Sequence, residues 1–179
     1  WFEKTVLDAF CGSQEMADYF QRLVGYAVSG RPSLSLLVIL FGMGANGKST
    51  ILNAVRKSLG EYARVADAGS FISDGGKTGG GGPREDLVRL RGARLVYVSE
   101  PDEGGELREG FVKTMTGGES IVARSAYAKH SVEIEPTWTV IMPTNHKPIV
   151  RGSDHGIWRR LELVPFEAKF AGEKADPNR

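Results

Sequence analysis

The sequence LSLLVILFGMGANGKS, residues 34–49, decides the fold of this chain. Residues 34–41 form an almost uninterrupted aliphatic run without polar alternation, which is typical of a parallel strand buried on both faces. Residues 42–49 match the pattern G-x-x-x-x-G-K-[ST], whose glycines let successive backbone N–H groups converge on a phosphate. Residues 49–59 then carry apolar side chains at helical spacing and stop at Gly60. The stretch therefore predicts a strand, a phosphate-binding turn and a helix.

This turn supplies the groups that bind a nucleoside triphosphate. Lys48 is expected to place its positive charge on the β- and γ-phosphates, and the Ser49 hydroxyl to ligate Mg²⁺. The amino end of the following helix adds positive potential. We therefore predict that the site takes ATP and Mg²⁺. The residues predicted to bind them are Gly42, Met43, Gly44, Ala45, Asn46, Gly47, Lys48, Ser49 and Thr50.

Further apolar segments follow along the chain. Residues 94–99, 137–142 and 161–164 predict strands, and residues 107–115 predict a helix between the first two. Strands that alternate with helices form parallel sheets with helices on their faces. We therefore predict an α/β fold, a P-loop domain whose central parallel sheet is flanked by helices.

The region between Gly118 and Pro136 departs from this alternation. Two short β-like stretches, residues 120–125 and 131–135, are joined by residues 126–130. This pattern predicts a β-hairpin inserted between core strands. A separate glycine-rich run, residues 75–82, contains no apolar residue, and we expect it to be a mobile loop.

Residues 1–32 predict a small N-terminal helical segment. Its main helix begins at Ser13 as N-cap and stops before Gly30 and Pro32, and a shorter helix precedes it. We expect this segment to pack as a lid on a P-loop ATPase domain formed by residues 33–179.

Acidic residues follow the strand predicted at residues 94–99. A P-loop enzyme needs a carboxylate at the tip of a neighbouring strand to hold Mg²⁺ and to align water. Glu100 is predicted to hold the metal together with Ser49. Asp102 or Glu103 is predicted to polarise the attacking water, and the sequence leaves the choice between them open.

Two further polar groups are candidates for the same chemistry. Asn145 follows the strand predicted at residues 137–142, where its amide could bond the γ-phosphate and the attacking water, although a turn role is the alternative. Arg159 and Arg160 precede the last predicted strand. They are either surface residues or an arginine finger supplied in cis or in trans, and an oligomer would satisfy the second interpretation.

Together these motifs give the chain a family resemblance. It resembles the superfamily 3 helicase domain of the poxvirus and phage type of primase-helicase, within the AAA+ class. The resemblance covers residues 2–166 and is carried by QRLVGYA (21–27), FGMGANGKST (41–50), RLVYVSE (94–100), KTMTGGESIVAR (113–124), PTW (136–138), PTNHKP (143–148) and DHGIWRRL (154–161).

This resemblance implies a hexameric ring that hydrolyses ATP between subunits and pulls single-stranded DNA through its pore. It also implies a primase domain on the same parent chain and a helical region that continues past Arg179. By position, residues 42–50 are motif A, residues 100–103 motif B, residues 116–136 motif B′ with a pore hairpin, and Asn145 motif C. Among the arginines, Arg160 matches the finger best, and Arg159 stays open.

The hairpin tip is the predicted DNA contact. A loop that tracks a phosphate backbone needs a cation, here Lys129 with His130 as a weaker donor, and Tyr127 could stack on a base. The alternative is an exposed hairpin whose polar tip merely prevents aggregation. Its place between the motif B region and the motif C strand favours the DNA contact.

Composition excludes several other classes. With 23 basic and 22 acidic residues the net charge is +1, so no basic surface coats the chain and any DNA contact is local. No apolar run approaches the ~18 residues of a membrane span. The single cysteine, Cys11, excludes an internal disulfide framework and is expected to be packed.

We therefore expect a cytoplasmic DNA-unwinding ATPase from a phage, plasmid or mobile element. Two rival hypotheses remain. One is a P-loop ATPase that remodels or loads replication proteins without translocating, and the other is a nucleotide-gated scaffold that binds a replication origin. ATP turnover that rises with single-stranded DNA would separate the helicase from both.

Overall fold

The computed structural model describes residues 1–73 and 84–170. Its strands are β1 (Leu37–Phe41), β2 (Ala63–Ala66), β3 (Ile72–Ser73), β4 (Leu95–Val98), β5 (Glu106–Leu107), β6 (Ile121–Ala123), β7 (Val132–Ile134), β8 (Thr139–Thr144) and β9 (Leu161–Pro165). A five-stranded sheet has the spatial order β2-β4-β8-β1-β9, and all its neighbouring strands run parallel. The predicted parallel α/β sheet is confirmed.

Helices cover both faces of this sheet. They are α1 (Phe2–Ala9), α2 (Gln14–Ser29), α3 (Lys48–Leu59), α4 (Ala68–Phe71), α5 (Glu85–Val88), α6 (Glu109–Thr116) and α7 (His155–Trp158), with a 3₁₀ turn at Gly60–Tyr62. Because side chains alternate along a strand, Val38 and Leu40 of β1 pack with α1, α2 and α3, whereas Leu37 and Ile39 pack on the opposite face with α4 and α6. The sheet therefore has an apolar core on each side.

An aromatic cluster joins the N-terminal helices to the sheet. The ring of Phe10 lies 4.7 Å from that of Phe166 and 5.8 Å from that of Phe20, centroid to centroid. The helix that contains Phe20 begins as predicted, since the Ser13 hydroxyl accepts a backbone N–H of its first turn at 3.3 Å. The segment predicted at residues 1–32 thus shares an apolar core with the sheet.

The inserted hairpin is confirmed, with strands somewhat shorter than predicted. Strands β6 and β7 are antiparallel and place Ile121 opposite Ile134. The indole N–H of Trp138, at the start of β8, donates to the carbonyl of Met115 at 3.0 Å. This bond fastens the end of α6 to the sheet at the base of the hairpin.

The strand predicted at residues 34–41 begins only at Leu37. Leu34 is exposed and donates its N–H to the Tyr26 hydroxyl at 2.6 Å, and the Leu36 N–H bonds to the Leu34 carbonyl at 3.0 Å. The ladder begins where the Leu37 N–H reaches the carbonyl of Arg160 at 2.7 Å. Local bonding before Leu37 therefore shortens the strand.

Other boundaries also differ from the predictions. The helix predicted at residues 107–115 begins at Glu109, because Leu107 pairs with Ile72 in the small β3–β5 sheet. The sequence did not indicate β2, α4, α5 or α7, each of which spans 4 residues, too few for a periodic pattern to emerge. The glycine-rich run at residues 75–82 lies outside the described residues.

Two predictions from composition can be compared with the structure. Cys11 is exposed, not packed, because it lies in the turn between α1 and α2 with a positive φ of 53°. Within the part of the chain that the structure describes, no helix is both long enough and apolar enough to cross a membrane.

The aromatic cluster predicts how the N-terminal helices contribute to stability. Phe20 is 1 % exposed, so Phe20→Ala should lower the free energy of unfolding by about 3–5 kcal/mol. The control Val28→Ala, on the same helix at 44 % exposure, should cost less than about 1 kcal/mol. Denaturant unfolding measures both, and equal effects of the two variants would contradict the shared core.

Candidate functional site

The order of the central strands brings three strand ends together. Strand β8 pairs in parallel with β1 on one side and with β4 on the other. The turn at residues 42–47 follows β1, Asn145 follows β8, and Glu100 lies two residues after β4. Because carboxyl ends of parallel strands share one edge of the sheet, these groups meet there, at the place where α/β proteins bind ligands.

Lys48 is the centre of this arrangement. It is the first residue of α3 and is only 5 % exposed. Its ammonium group donates to the backbone carbonyl of Gly42 and, at 3.0 Å, to Oδ1 of Asn145. Both acceptors are neutral oxygens, so these hydrogen bonds leave the positive charge of Lys48 available for an anion.

The electrostatics of Lys48 follow from this burial. Desolvation lowers the pKa of the Lys48 amine below its ordinary value, and the nearby carboxylate of Glu100 opposes the shift. Among the acidic residues predicted after β4, Glu100 is thus the one that acts electrostatically on Lys48. The pair sets a cation and an anion at one edge of the sheet, which suits a phosphate beside a divalent metal.

The turn at residues 42–47, which we call the phosphate loop, is shaped by left-handed backbone conformations. Gly44, Ala45 and Gly47 have φ values of 84°, 49° and 83°. Such conformations turn successive N–H groups toward one side and create an anion-binding concavity. The side-chain amide of Asn46 is buried and donates to the carbonyl of Phe166 at 3.3 Å, which anchors the loop to the segment after β9.

The remaining loop residues surround this concavity. Ser49 and Thr50 are exposed in the first turn of α3, and Met43 is 78 % exposed at the outer rim. A cavity of about 250 Å³ lies between the loop and residues 165–169. The donor set fits a triphosphate, and the Ser49 hydroxyl with the Glu100 carboxylate fits Mg²⁺, which takes few protein oxygens and completes its shell with phosphates and water.

No group of three or more potential metal-ligating His, Cys, Asp or Glu side chains exists among residues 1–73 and 84–170.

Asp102 and Glu103 occupy a different environment from Glu100. Both line a cavity of about 480 Å³ together with Arg108 and Arg151, and the phosphate loop is not part of its lining. Oε1 of Glu103 lies 3.4 Å from Nδ1 of His146. The structure therefore connects Glu103 to the residue that follows Asn145, a contact that the sequence analysis missed.

His146 is itself held at the end of β8. The Thr144 hydroxyl donates to the His146 carbonyl at 2.6 Å and accepts its N–H at 3.1 Å, and Thr144 is fully buried. Lys147 lies with its ammonium group 4.9 Å from the centre of the Phe41 ring. The sequence signal for these residues is the polar run that follows the apolar strand β8. Their partners, Glu103 and Phe41, are distant in sequence, so the sequence alone did not identify the contacts.

The two candidate arginines lie at the opposite edge of the sheet. Leu161, directly after them, pairs with Leu37 at the start of β1, whereas the phosphate loop follows the end of β1. Arg159 is exposed. Arg160 is partly buried, its guanidinium donates to the Gly156 carbonyl, and its Nε is enclosed without a hydrogen-bond partner. Within one subunit the arginines are thus separated from the phosphate loop by the length of β1.

The candidate DNA residues lie at the hairpin tip. Tyr127 is fully exposed with a positive φ of 65°, and Lys129 and His130 are also exposed. The hairpin is tied to α5 near its tip, since the Ala126 N–H donates to a carboxylate oxygen of Glu85 at 3.2 Å. The side chains of Tyr127, Lys129 and His130 therefore project from a hairpin that is bonded to α5.

Curated relatives come from large DNA viruses. A protein of Acanthamoeba polyphaga mimivirus that bears the provisional name helicase L207/L206 is 31 % identical over 157 residues, which is 88 % of this chain and 16 % of that protein. A protein of African swine fever virus with the provisional name primase C962R is 27 % identical over 144 residues, 80 % of this chain and 15 % of that protein. The chain thus spans about a sixth of these relatives.

Solved structures share the fold. The C-terminal region of NrS-1 superposes with a TM-score of 0.68 at 15 % identity, over 99 % of this chain and 40 % of that one. JCV helicase superposes with a TM-score of 0.58 at 13 % identity, over 94 % of this chain and 45 % of that one.

The sequence model of a protein family of unknown function, DUF5906, matches residues 40–160 of this chain. Since this match covers more than half of the chain, the chain belongs to the DUF5906 family.

Proposed function

We propose that this chain is the ATP-hydrolysing motor domain of a superfamily 3 DNA helicase of the primase-helicase type. The observation that carries the proposal is the buried ammonium group of Lys48, which is bonded to Asn145 at 3.0 Å and is stabilised electrostatically by the carboxylate of Glu100. The names of the viral relatives, one a helicase and one a primase, support the choice of function. The helicase folds among the solved structures support the architecture.

ATP binding follows from the phosphate loop. The N–H groups of residues 42–50 and the Lys48 ammonium would hold the β- and γ-phosphates, and the cavity between the loop and residues 165–169 would receive the nucleoside. Ser49 and Glu100 would hold Mg²⁺, which would supply positive charge that neutralises the phosphates. The Asn145 amide would give up its bond to Lys48 and report the presence of the γ-phosphate.

Hydrolysis needs a carboxylate that orients water. Glu100 is the acidic side chain that acts on Lys48, whereas Glu103 contacts His146 and Asp102 lines the neighbouring cavity. We therefore assign metal binding to Glu100 and leave the orientation of water to Asp102 or Glu103, in line with the open choice in the sequence. Glu103 has the stronger claim because its contact to His146 holds it beside Asn145.

The arginines would act between subunits. Because Arg159 and Arg160 lie at the opposite end of β1 from the phosphate loop, they suit the site of a neighbouring subunit better than their own. Stabilisation of transition-state charge by such an arginine typically accelerates phosphoryl transfer by ~10³–10⁵-fold. This arrangement supports a homo-oligomeric ring, which we propose to be a hexamer around single-stranded DNA.

Lys48→Ala is expected to abolish ATP turnover while the protein stays folded. Removal of a comparable electrostatic clamp costs ~10²-fold or more in kcat, whereas the control Lys57→Ala, an exposed lysine of the same helix, should keep its turnover. Glu100→Gln should lose Mg²⁺-dependent turnover in the same assay. Steady-state phosphate release measures all variants, and substantial turnover in Lys48→Ala would remove this residue from the site.

The arginine assignment predicts complementation between subunits. The double variant Arg159→Ala/Arg160→Ala should bind ATP normally and lose turnover by ~10³-fold or more. When mixed with Lys48→Ala protein, it should regain partial turnover, because mixed interfaces then combine an intact Lys48 with an intact arginine. The single variants identify which arginine acts. Mixed oligomers that never exceed the sum of the separate activities would contradict action in trans.

The hairpin assignment predicts a specific change in DNA binding. Lys129→Ala should weaken binding to single-stranded DNA of any sequence and reduce the salt slope by ~1 per lost phosphate contact. Basal ATPase activity should change little, because the tip is remote from Lys48. Titration of a fluorescent oligonucleotide at several salt concentrations measures both effects, with Lys57→Ala as the exposed control. An unchanged slope would move the DNA contact elsewhere, with Lys113 and Arg124 as the next candidates.

DNA dependence of turnover separates the proposed function from its rivals. A translocating helicase should hydrolyse ATP faster when single-stranded DNA is present. A loading ATPase or a nucleotide-gated scaffold would show turnover that does not respond to the oligonucleotide.

A further inference from the structure

One face of α6 holds the segment that carries the arginines. The Glu109 carboxylate accepts the backbone N–H of Gly152. One turn later on the same helix, the Lys113 ammonium donates to both carboxylate oxygens of Asp154, at 3.2 and 3.0 Å. Because residues four apart lie on one face of a helix, α6 fastens this segment at two successive points.

The segment of residues 154–160, which we name the arginine turn, has a fixed internal structure. Oδ1 of Asp154 accepts the Ile157 N–H at 3.2 Å and caps the short helix α7. Ile157 is fully buried, and its carbonyl accepts the Arg160 N–H at 2.9 Å. Movement of Asp154 would therefore be transmitted through the turn to Arg159 and Arg160.

The other end of α6 leads into the hairpin. After the helix ends at Thr116, residues 117–120 connect it directly to β6, and Met115 is fixed by the indole of Trp138. Helix α6 is thus continuous with the DNA-binding candidate at one end and bonded to the arginine turn along one face. Lys113 of α6 and Asp154 of the arginine turn form the charged contact between the helix and the turn.

The chemistry of this pair suits positioning more than stabilisation. The Asp154 side chain is 53 % exposed and the Lys113 side chain is 37 % exposed. Exposed ion pairs contribute little to folding stability. The hydrogen bond from the Lys113 ammonium nevertheless lowers the pKa of the Asp154 carboxyl, so this carboxylate is ionised at neutral pH. The pair therefore orients the arginine turn relative to α6 and contributes little to the folding stability of the protein.

We propose that the Lys113–Asp154 ion pair fastens the arginine turn to the hairpin-bearing helix, so that both residues position the arginine that acts on the neighbouring subunit. This inference rests on the proposed function. It adds that the position of the arginine and the position of the DNA hairpin are mechanically joined through α6. A shift of about 1 Å in a catalytic group can cost ~10²-fold in rate, so loss of the pair is expected to be visible in turnover.

The test measures kcat and KM for ATP with single-stranded DNA for Lys113→Met, Asp154→Asn and the double variant. Asparagine caps helices as well as aspartate does, so Asp154→Asn removes the charge and keeps the cap of α7. Lys113→Arg keeps the charge and serves as the conservative rescue. The control Lys4→Met removes an exposed ion pair of 2.9 Å on α1, far from the arginine turn.

Each single variant is expected to lose ~10-fold or more in kcat with KM within ~2-fold of the wild type, and the double variant no more than the worse single variant. Lys113→Arg and Lys4→Met should retain most of the turnover, and thermal unfolding should change little in all variants.

Unchanged kcat in the single variants, or a double variant whose loss is the product of the two single losses, would overturn the inference while the proposed function stands. A kcat loss in Lys113→Met that appears only with an equal loss of folded protein, and is absent in Asp154→Asn, would also overturn it. Absence of ATP turnover in the wild-type protein would instead overturn the proposed function.

Discussion

The buried charge of Lys48 is the constraint on which this structure depends. An ammonium group removed from water is costly unless polar groups surround it. Here the Gly42 carbonyl and the Asn145 side-chain oxygen accept hydrogen bonds from the ammonium group, and the nearby carboxylate of Glu100 favours its charge. These residues follow the ends of β1, β8 and β4, which lie adjacent and parallel, so the arrangement of the strands supplies the groups that stabilise the charge. The strand order that forms the sheet therefore also forms the site around Lys48.

The same sheet separates the proposed tasks in space. Its carboxyl edge carries the phosphate loop, and its amino edge carries the arginine turn and the base of the hairpin. Within one subunit these groups lie too far apart to act on a single phosphate. Under the proposed function, the arginine turn would instead act on the phosphate loop of a neighbouring subunit.

Each edge also contains a contact between segments that are distant in sequence. His146 connects the end of β8 with Glu103 of the acidic loop, at 3.4 Å. Lys113 connects α6 with the arginine turn, at 3.0 Å. Both contacts join side chains that are largely exposed, so they add little to stability. Under the proposed function, their importance is geometric, since each contact would position a candidate catalytic group.

The sequence by itself determined the phosphate loop, four of the five strands of the central sheet, the Ser13-capped helix and the inserted hairpin, because each rests on local spacing of glycines, caps or apolar residues. Only the tertiary structure decided which distant groups meet. The 4-residue elements β2 and α7 have no periodic signal and form because the sheet and the core select them. The pairing of Lys113 with Asp154 spans 41 positions, and nothing local distinguishes either side chain from an ordinary surface charge. Strand order, which no local pattern encodes, placed them together.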